Sequence, residues 1–282
     1  MPAPAVPEAV ARGHLFIVGG GRRSPELMRR FVELAGGAPG ASILVIPLAS
    51  GSAAETGAAL VEEFRGLGAA ARSITPTRVQ AEQTSSASLL EGVTGIWFSG
   101  GDQARVTAVL AGTPLNEAIR RAYVAGAAVG GTSAGAAIMS DPMITGEQVR
   151  DTLGYFGDEF PRVARDYIQL APGLGYLPGA ILDQHFLRRE RHNRLLSAVL
   201  SHPYHLGAGI DESTALIVRP DGRWEVAGES VVVVYDARAA ALVPDSAAVL
   251  GARDVRLHLL PAGATFDPRT GAAVLAYPPS PP

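Results

Sequence analysis

The sequence predicts an α/β fold, a three-layer sandwich with a mainly parallel central sheet and an antiparallel C-terminal extension. Two patterns lead there. Through the first half, apolar runs of strand length alternate with stretches of helix length, as βαβ units require. In the last quarter the apolar runs shorten and turn residues separate them.

His14–Gly19 reads as the first strand, followed by Gly19-Gly20-Gly21 and a helix over Glu26–Leu34. Ser42–Leu48 is a second strand, and a helix runs near Glu55–Leu67. A weaker strand lies at Ala71–Thr75. Gly95–Ser99 is a strand ending at Gly100-Gly101, and helices follow over Asp102–Leu110 and Leu115–Ala125. Ala127–Gly130 is the next strand. Near the end, Ala215–Val218, Trp224–Val226 and Ser230–Tyr235 are short strands, with Pro220-Asp221-Gly222 turning between the first two. No internal repeat, low-complexity block or long linker appears. The chain reads as one domain over 12–277, with loose Pro-rich ends at Met1–Ala11 and Pro278–Pro282.

At 282 residues, 47% of them hydrophobic, the chain can bury a large core. All 24 basic residues are arginine, and the net charge is only -3. We attribute the Arg, Ala, Gly and Pro bias to GC-rich coding. The near-neutral balance argues against a nucleic-acid or anionic-membrane partner. With no cysteine, disulfides, thiol nucleophiles and Cys-ligated zinc are excluded. The N-terminus lacks the basic start and continuous apolar stretch of a signal peptide. No segment reaches the roughly 20 apolar residues of a membrane helix, so the cytoplasm is the expected location.

The most informative stretch runs from Ala127 to Ile138. It carries G-x-S-x-G at Gly131–Gly135, after a strand and before a helix of small residues. A nucleophile elbow needs this setting, because small neighbours permit a strained turn that exposes the Ser133 hydroxyl. The helix start behind it offers free N–H groups to a developing oxyanion. The alternative is a Gly/Ser-rich loop that caps a helix or holds a phosphate.

A hydroxyl nucleophile needs a base, and the base needs an orienting group. Of the six histidines, His14, His185, His192, His202, His205 and His258, only His185 follows an apolar run that places it at a strand end. Glu212, in Gly209-Ile210-Asp211-Glu212-Ser213, also follows an apolar stretch. Taken singly, each histidine reads more readily as a structural or surface residue than as a catalytic one, and Glu212 reads also as a helix-capping or solvated acid.

Together these residues resemble the cyanophycinases, serine exopeptidases of the dipeptidase E superfamily. The resemblance rests on Phe98-Ser99-Gly100-Gly101-Asp102-Gln103, Gly131–Ala136, Asp183-Gln184-His185-Phe186 with the arginine-rich run after it, and Gly209-Ile210-Asp211-Glu212. It implies Ser133 as nucleophile, His185 as base and Glu212 as the acid orienting it, with the amides of Gly101 and Ala134 as oxyanion hole. This order of nucleophile, histidine and acid differs from that of α/β-hydrolases, which argues against a lipase or esterase. The implied fold is flavodoxin-like or class I glutamine amidotransferase-like.

The implied substrate is cyanophycin, a poly-aspartate backbone with arginine on each β-carboxyl, cut to β-Asp-Arg dipeptides through an acyl-enzyme on Ser133. The resemblance places substrate contacts at Gln103, Asp183, Gln184, Arg189, Arg191, Arg194 and Ser213. Arginine suits the grip on an aspartyl carboxylate through its bidentate geometry. The run Arg188–Arg194 reads alternatively as an exposed, salt-bridged helix face. On one continuous helix these arginines and His185 do not share a face, so His185 is expected to precede the helix. Ser213 departs from the asparagine expected there, which leaves open a peptidase for short Asp-containing or isoaspartyl peptides that ignores the polymer. A non-enzymatic binding domain of the same fold is a third reading. The family likeness is compatible with a homodimer.

Other signals carry less. Gly19-Gly20-Gly21 lacks G-x-G-x-x-G spacing, so nucleotide binding is set aside. Asp102, Asp183, His185, Asp211 and Glu212 match no zinc pattern, and neither a cofactor nor a metal is expected. Trp97 and Phe98 read as core, and Glu147 and Asp151 as surface.

Overall fold

The computed structural model describes residues 11–148, 162–165, 168–244 and 249–276. Asp151 and nearly all of the two Pro-rich ends lie outside the described residues. The first half runs β1 (Leu15–Val18), α1 (Pro25–Leu34), β2 (Ser42–Ile46), α2 (Ala53–Gly66), β3 (Ala70–Ser73), α3 (Arg78–Ala81), β4 (Gly95–Phe98), α4 (Gln103–Leu110), α5 (Pro114–Ala125), β5 (Ala128–Thr132) and α6 (Ala134–Ala137). A pair of strands follows, β6 (Met143–Gln148) and β7 (Ile168–Ala171), then β8 (Ala180–Gln184), α7 (His192–Ser201), β9 (Leu206–Ile210), β10 (Thr214–Val218), β11 (Trp224–Gly228) and β12 (Val231–Asp236). The C-terminal strands are β13 (Ala241–Leu242), β14 (Ala252–Arg253), β15 (Arg256–Pro261), β16 (Thr265–Asp267) and β17 (Ala272–Val274).

The helix starts follow from their sequence. Ser24, Asp102 and Thr113 cap α1, α4 and α5 by accepting from the amides of Leu27, Ala104 and Asn116. Each oxygen satisfies a donor that the first helical turn leaves free.

Strands β3, β2, β4, β5 and β1 form a parallel half-sheet in that order. The antiparallel strands β10, β11, β16 and β17 continue it to nine strands. Alternation along each strand feeds two cores. Phe16, Val18, Ile43, Val45 and Trp97 pack with Met28, Phe31, Leu60 and Phe64 of α1 and α2. Leu15, Ile17, Leu44, Ile46, Ile96 and Phe98 pack on the other face with α4 and α5.

The structure refines one expectation. Ser230–Tyr235 does not simply extend the central sheet: β12 belongs to a second, four-stranded sheet in the order β15-β12-β9-β8. The reason lies in the valine run of β12. Val232 and Val234 join the core shared with the main sheet, while Val233 joins a third core against Leu195, Ala198 and Val199 of α7. A strand apolar on both sides needs a cover on each face, and a sheet edge supplies only part of that.

This arrangement positions the site. Val18, Phe98 and Thr132 end neighbouring parallel strands in register, so the β1, β4 and β5 tips lie side by side. The carboxyl end of β8 in the second sheet faces them, because the His185 amide donates to the Gly19 carbonyl at 2.6 Å.

Candidate active site

Ser133 stands between β5 and α6 with φ 53° and ψ -110°. A residue with a Cβ rarely adopts this conformation, and here backbone contacts hold it. The Ser133 amide donates to the Val18 carbonyl at 3.0 Å, and the Ser133 carbonyl accepts from Ala136 and Ala137. The strained turn leaves the hydroxyl pointing out of the sheet edge. Its Oγ lies 2.8 Å from His185 Nε2, and His185 Nδ1 lies 2.6 Å from Glu212 Oε1.

The three side chains come from separate parts of the chain. Successive carbonyls at the end of β1 gather them: Val18 accepts from Ser133, Gly19 from His185, and Gly20 from Ser213, the last at 2.9 Å. The glycine run thus has a role that the sequence signal did not disclose. A Cβ on Gly20, whose φ is +105°, would fall within the His185 imidazole. One on Gly21 would lie 2.7 Å from the Glu212 Cβ. Nothing in a lone sequence indicates which distant ring needs the space.

Burial lowers the pKa of His185 from its ordinary value of 6.5, with Arg189 and Arg191 adding to the effect; the hydrogen bond that the ring donates to Glu212, and the charge of Glu212, oppose it. The imidazole is therefore neutral at pH 7. With Nδ1–H donating to Glu212, Nε2 is free to accept the Ser133 proton. The amides of Gly101 and Ala134 make no backbone hydrogen bond among the described residues. Gly101 has φ +136°, and a Cβ there would collide with the Ala49 carbonyl, so only glycine permits this turn.

The arginine run divides. His185 directly follows β8 and precedes α7, which starts at His192; between them a turn is held by Arg189 N–H on the His185 carbonyl at 3.0 Å. Arg188 and Arg189 are exposed, whereas Arg191 and Arg194 are buried, at 5% and 3% exposure. The run is therefore not one solvated helix face. Arg194 forms a bidentate pair with buried Asp183, its Nε at 2.7 Å from Oδ2, and Arg191 Nη1 donates to the Gln184 carbonyl at 2.8 Å. Asp183 and Arg194, both expected as substrate contacts, pair with each other here, because a buried carboxylate needs a paired cation.

Gln103 is buried and donates through Nε2 to the Ile144 carbonyl at 3.1 Å. Gln184 is buried beside His185, and its Oε1 has no hydrogen-bond partner. Asp211 receives the amides of Leu187 and Arg188, each at 3.1 Å, and the Ser230 hydroxyl at 2.7 Å. It thereby fastens the turn after His185 and has no oxygen left idle. Asp102 caps α4. Ser213 has φ +56°, the left-handed region that asparagine tolerates better than serine. Backbone conformation is by itself a reason for asparagine to be favoured at this position.

The family model for peptidase family S51 matches residues 15–223, a span that holds Ser133, His185 and Glu212. The chain belongs to peptidase family S51. This S51 peptidase is similar to the cyanophycinase of Geminocystis herdmanii (strain PCC 6308), at 35% identity over 92% of this chain and 95% of that protein. It is 36% identical to the cyanophycinase of Synechococcus elongatus, over 92% of this chain and 80% of the other. Among solved structures, a peptidase from an acI-B1 Actinobacterium superposes with TM-score 0.65 at 23% identity, covering 92% of this chain and 98% of its own. A putative peptidase E from Listeria monocytogenes EGD-e gives TM-score 0.53 at 15% identity, over 77% and 99%. At these identities the two structures speak for the fold of the S51 peptidase alone.

Two outcomes follow from the geometry. Gly20→Ala forces the imidazole aside and lowers kcat by about 100-fold or more, as an ångström-scale misplacement does; wild-type kcat in a folded variant would break the link between the glycine loop and the histidine. Ser213→Asn raises unfolding free energy by up to about 1 kcal/mol through relief of the left-handed strain, readable in urea melts. A loss of stability would rule out the backbone explanation.

Proposed function

We propose that this S51 peptidase is a serine exopeptidase that degrades cyanophycin to β-Asp-Arg dipeptides. The observation that carries the reading is the continuous relay from Glu212 through His185 to Ser133, in a chain about 35% identical to cyanophycinases over most of its length. An acid-oriented imidazole against a hydroxyl on a strained turn is an arrangement for acyl transfer.

In the mechanism, His185 Nε2 takes the Ser133 proton as Oγ attacks the backbone carbonyl carbon. The oxyanion accepts from the Gly101 and Ala134 amides, each donor of this kind supplying about 3–4 kcal/mol. The protonated His185 then gives its proton to the leaving amine, and the peptide C–N bond breaks. Water, deprotonated by the same imidazole, attacks the ester and releases Ser133 with its hydroxyl restored. Glu212 holds Nδ1–H throughout and stabilises the imidazolium. Exposed Arg189, close enough to act on the His185 charge, is the arginine of the run best placed to meet a substrate carboxylate. Buried Arg191 and the Asp183–Arg194 pair hold the loop that carries both.

No helix of the described residues is long and apolar enough to cross a membrane. A cysteine-free chain that needs no oxidising compartment fits cytoplasmic work on stored polymer.

Incubation with insoluble cyanophycin should clear the suspension and release β-Asp-Arg, detected by mass spectrometry. Ser133→Ala should cut kcat by about 10⁴-fold or more while leaving the thermal melt unchanged; substantial residual turnover in that variant removes Ser133 from its role. Hydrolysis of soluble aspartyl dipeptides with no attack on the polymer would replace the substrate assignment.

The pH profile carries a second test. The base works as neutral imidazole, so kcat/KM is lost as pH falls through the His185 pKa. Burial places that limb below the ordinary value of 6.5. Arg189 disfavours the charged ring, so Arg189→Ala raises the pKa and moves the acid limb to higher pH, whatever it does to the plateau. A limb that stays still or moves down contradicts the assignment of His185 as the base.

A further inference from the structure

We propose that a cavity beside the nucleophile turn is a second substrate subsite, which takes a substrate arginine side chain and holds its guanidinium on Glu63. The inference rests on the cyanophycin reading for the identity of the side chain, and on the structure for the place. The cavity has a volume of about 220 Å³ and lies between the loop after β1, helix α2 and the tips of β4 and β5. Sites for whole small ligands run to roughly 300–1,000 Å³. This one suits a single long side chain.

Its position ties it to the chemistry. Gly100 and Thr132 form one wall, and they adjoin Gly101, the proposed oxyanion donor, and Ser133 in sequence. A Cβ built on Gly100 would stand 3.4 Å from the Ser133 Cβ. A side chain entering here therefore belongs to a residue close to the bond under attack.

The opposite wall carries the charge. Arg23 Nη2 donates to Glu63 Oε2 at 3.0 Å, with the two side chains 24% and 30% exposed. Glu63 Oε1 has no protein partner among the described residues, and the Thr132 hydroxyl makes no hydrogen bond there either. Arg23 Nε is buried and has no hydrogen-bond partner among the described residues. Glu63 Oε1 and the Thr132 hydroxyl offer acceptors to a donor-rich cation, and Arg23 keeps unused N–H groups of its own beside them. Ala59 and Leu60 offer an apolar surface for the methylene stem, as arginine and lysine side chains favour. Arg23 acts as a positioning residue: its one bond fixes the carboxylate, and it leaves the second oxygen to the guest.

The test compares β-aspartyl-arginine with β-aspartyl-citrulline, whose urea is an uncharged isostere of the guanidinium. Binding of each to the full chain carrying Ser133→Ala is measured by calorimetry, with and without Glu63→Gln. Arginine is expected to bind tighter than citrulline, and Glu63→Gln to shrink that preference about tenfold or more, the worth of a charge-assisted hydrogen bond. Glu63→Asp, which keeps the charge, should retain part of the preference. In the otherwise native enzyme, Glu63→Gln should lower kcat/KM on the polymer while a fluorophosphonate labels Ser133 at the wild-type rate.

Equal binding of the two dipeptides, or a preference indifferent to Glu63→Gln, overturns the subsite and reduces the Arg23–Glu63 pair to a tie between a loop and α2. Polymer turnover with such indifference sinks the subsite alone. A Glu63-dependent preference without polymer turnover keeps the subsite and sinks the cyanophycin reading.

Discussion

The site depends on the last carbonyls of β1. Ser133, His185 and the residue after Glu212 each hang a backbone amide on that short stretch, at Val18, Gly19 and Gly20. These bonds do what no pairwise side-chain contact does: they set three remote segments in one frame before any hydroxyl or ring is placed. The absence of side chains along Gly19–Gly21 is what lets the imidazole and the carboxylate approach that frame. Preorganisation at this level matters because acyl transfer requires the nucleophile, base and oxyanion donors in register to a fraction of an ångström.

Buried charge supplies the second constraint. Asp183 has no exposure of its side chain, and it lies near the end of β8, two residues before His185. Its bidentate partner Arg194 comes from α7, so the pair locks the helix to the strand end from which His185 projects. Arg191 reaches the Gln184 carbonyl from the turn between them. A buried ion pair adds little net stability over well-packed apolar groups, but removal of one partner strands the other. Here its effect is geometric, holding the turn that presents Arg189 to solvent beside the base.

The two sheets divide the labour. The parallel half-sheet supplies the rigid tips that carry Ser133 and the Gly100–Gly101 turn, and the four-stranded sheet supplies His185. Glu212 lies on the short connection from β9 to β10, where the chain passes from one sheet to the other. The relay therefore bridges both sheets. Strain is concentrated in the same place, with Ser133, His185 and Ser213 all at positive φ. Strand ends surrounded by a fully packed core can hold such conformations, since relaxing any one of them would break several backbone hydrogen bonds at once.

The sequence by itself determined the alternation of strands and helices and the turn at Gly131–Gly135. Each of these is a local matter of periodicity or small-residue steric freedom. Motif resemblance picked out Ser133, His185 and Glu212 as partners, although spacing alone left the histidine and the acid open. Tertiary structure decided the rest. It assigned the valines of β12 to two cores and hence to a second sheet. It turned Arg191 and Arg194 inward, gave Gly20 and Gly21 their purpose, and paired Arg23 with Glu63. The reason is common to all of these: burial and ion pairing are properties of what the chain meets across space, and the energy that selects them does not exist until distant segments are packed together.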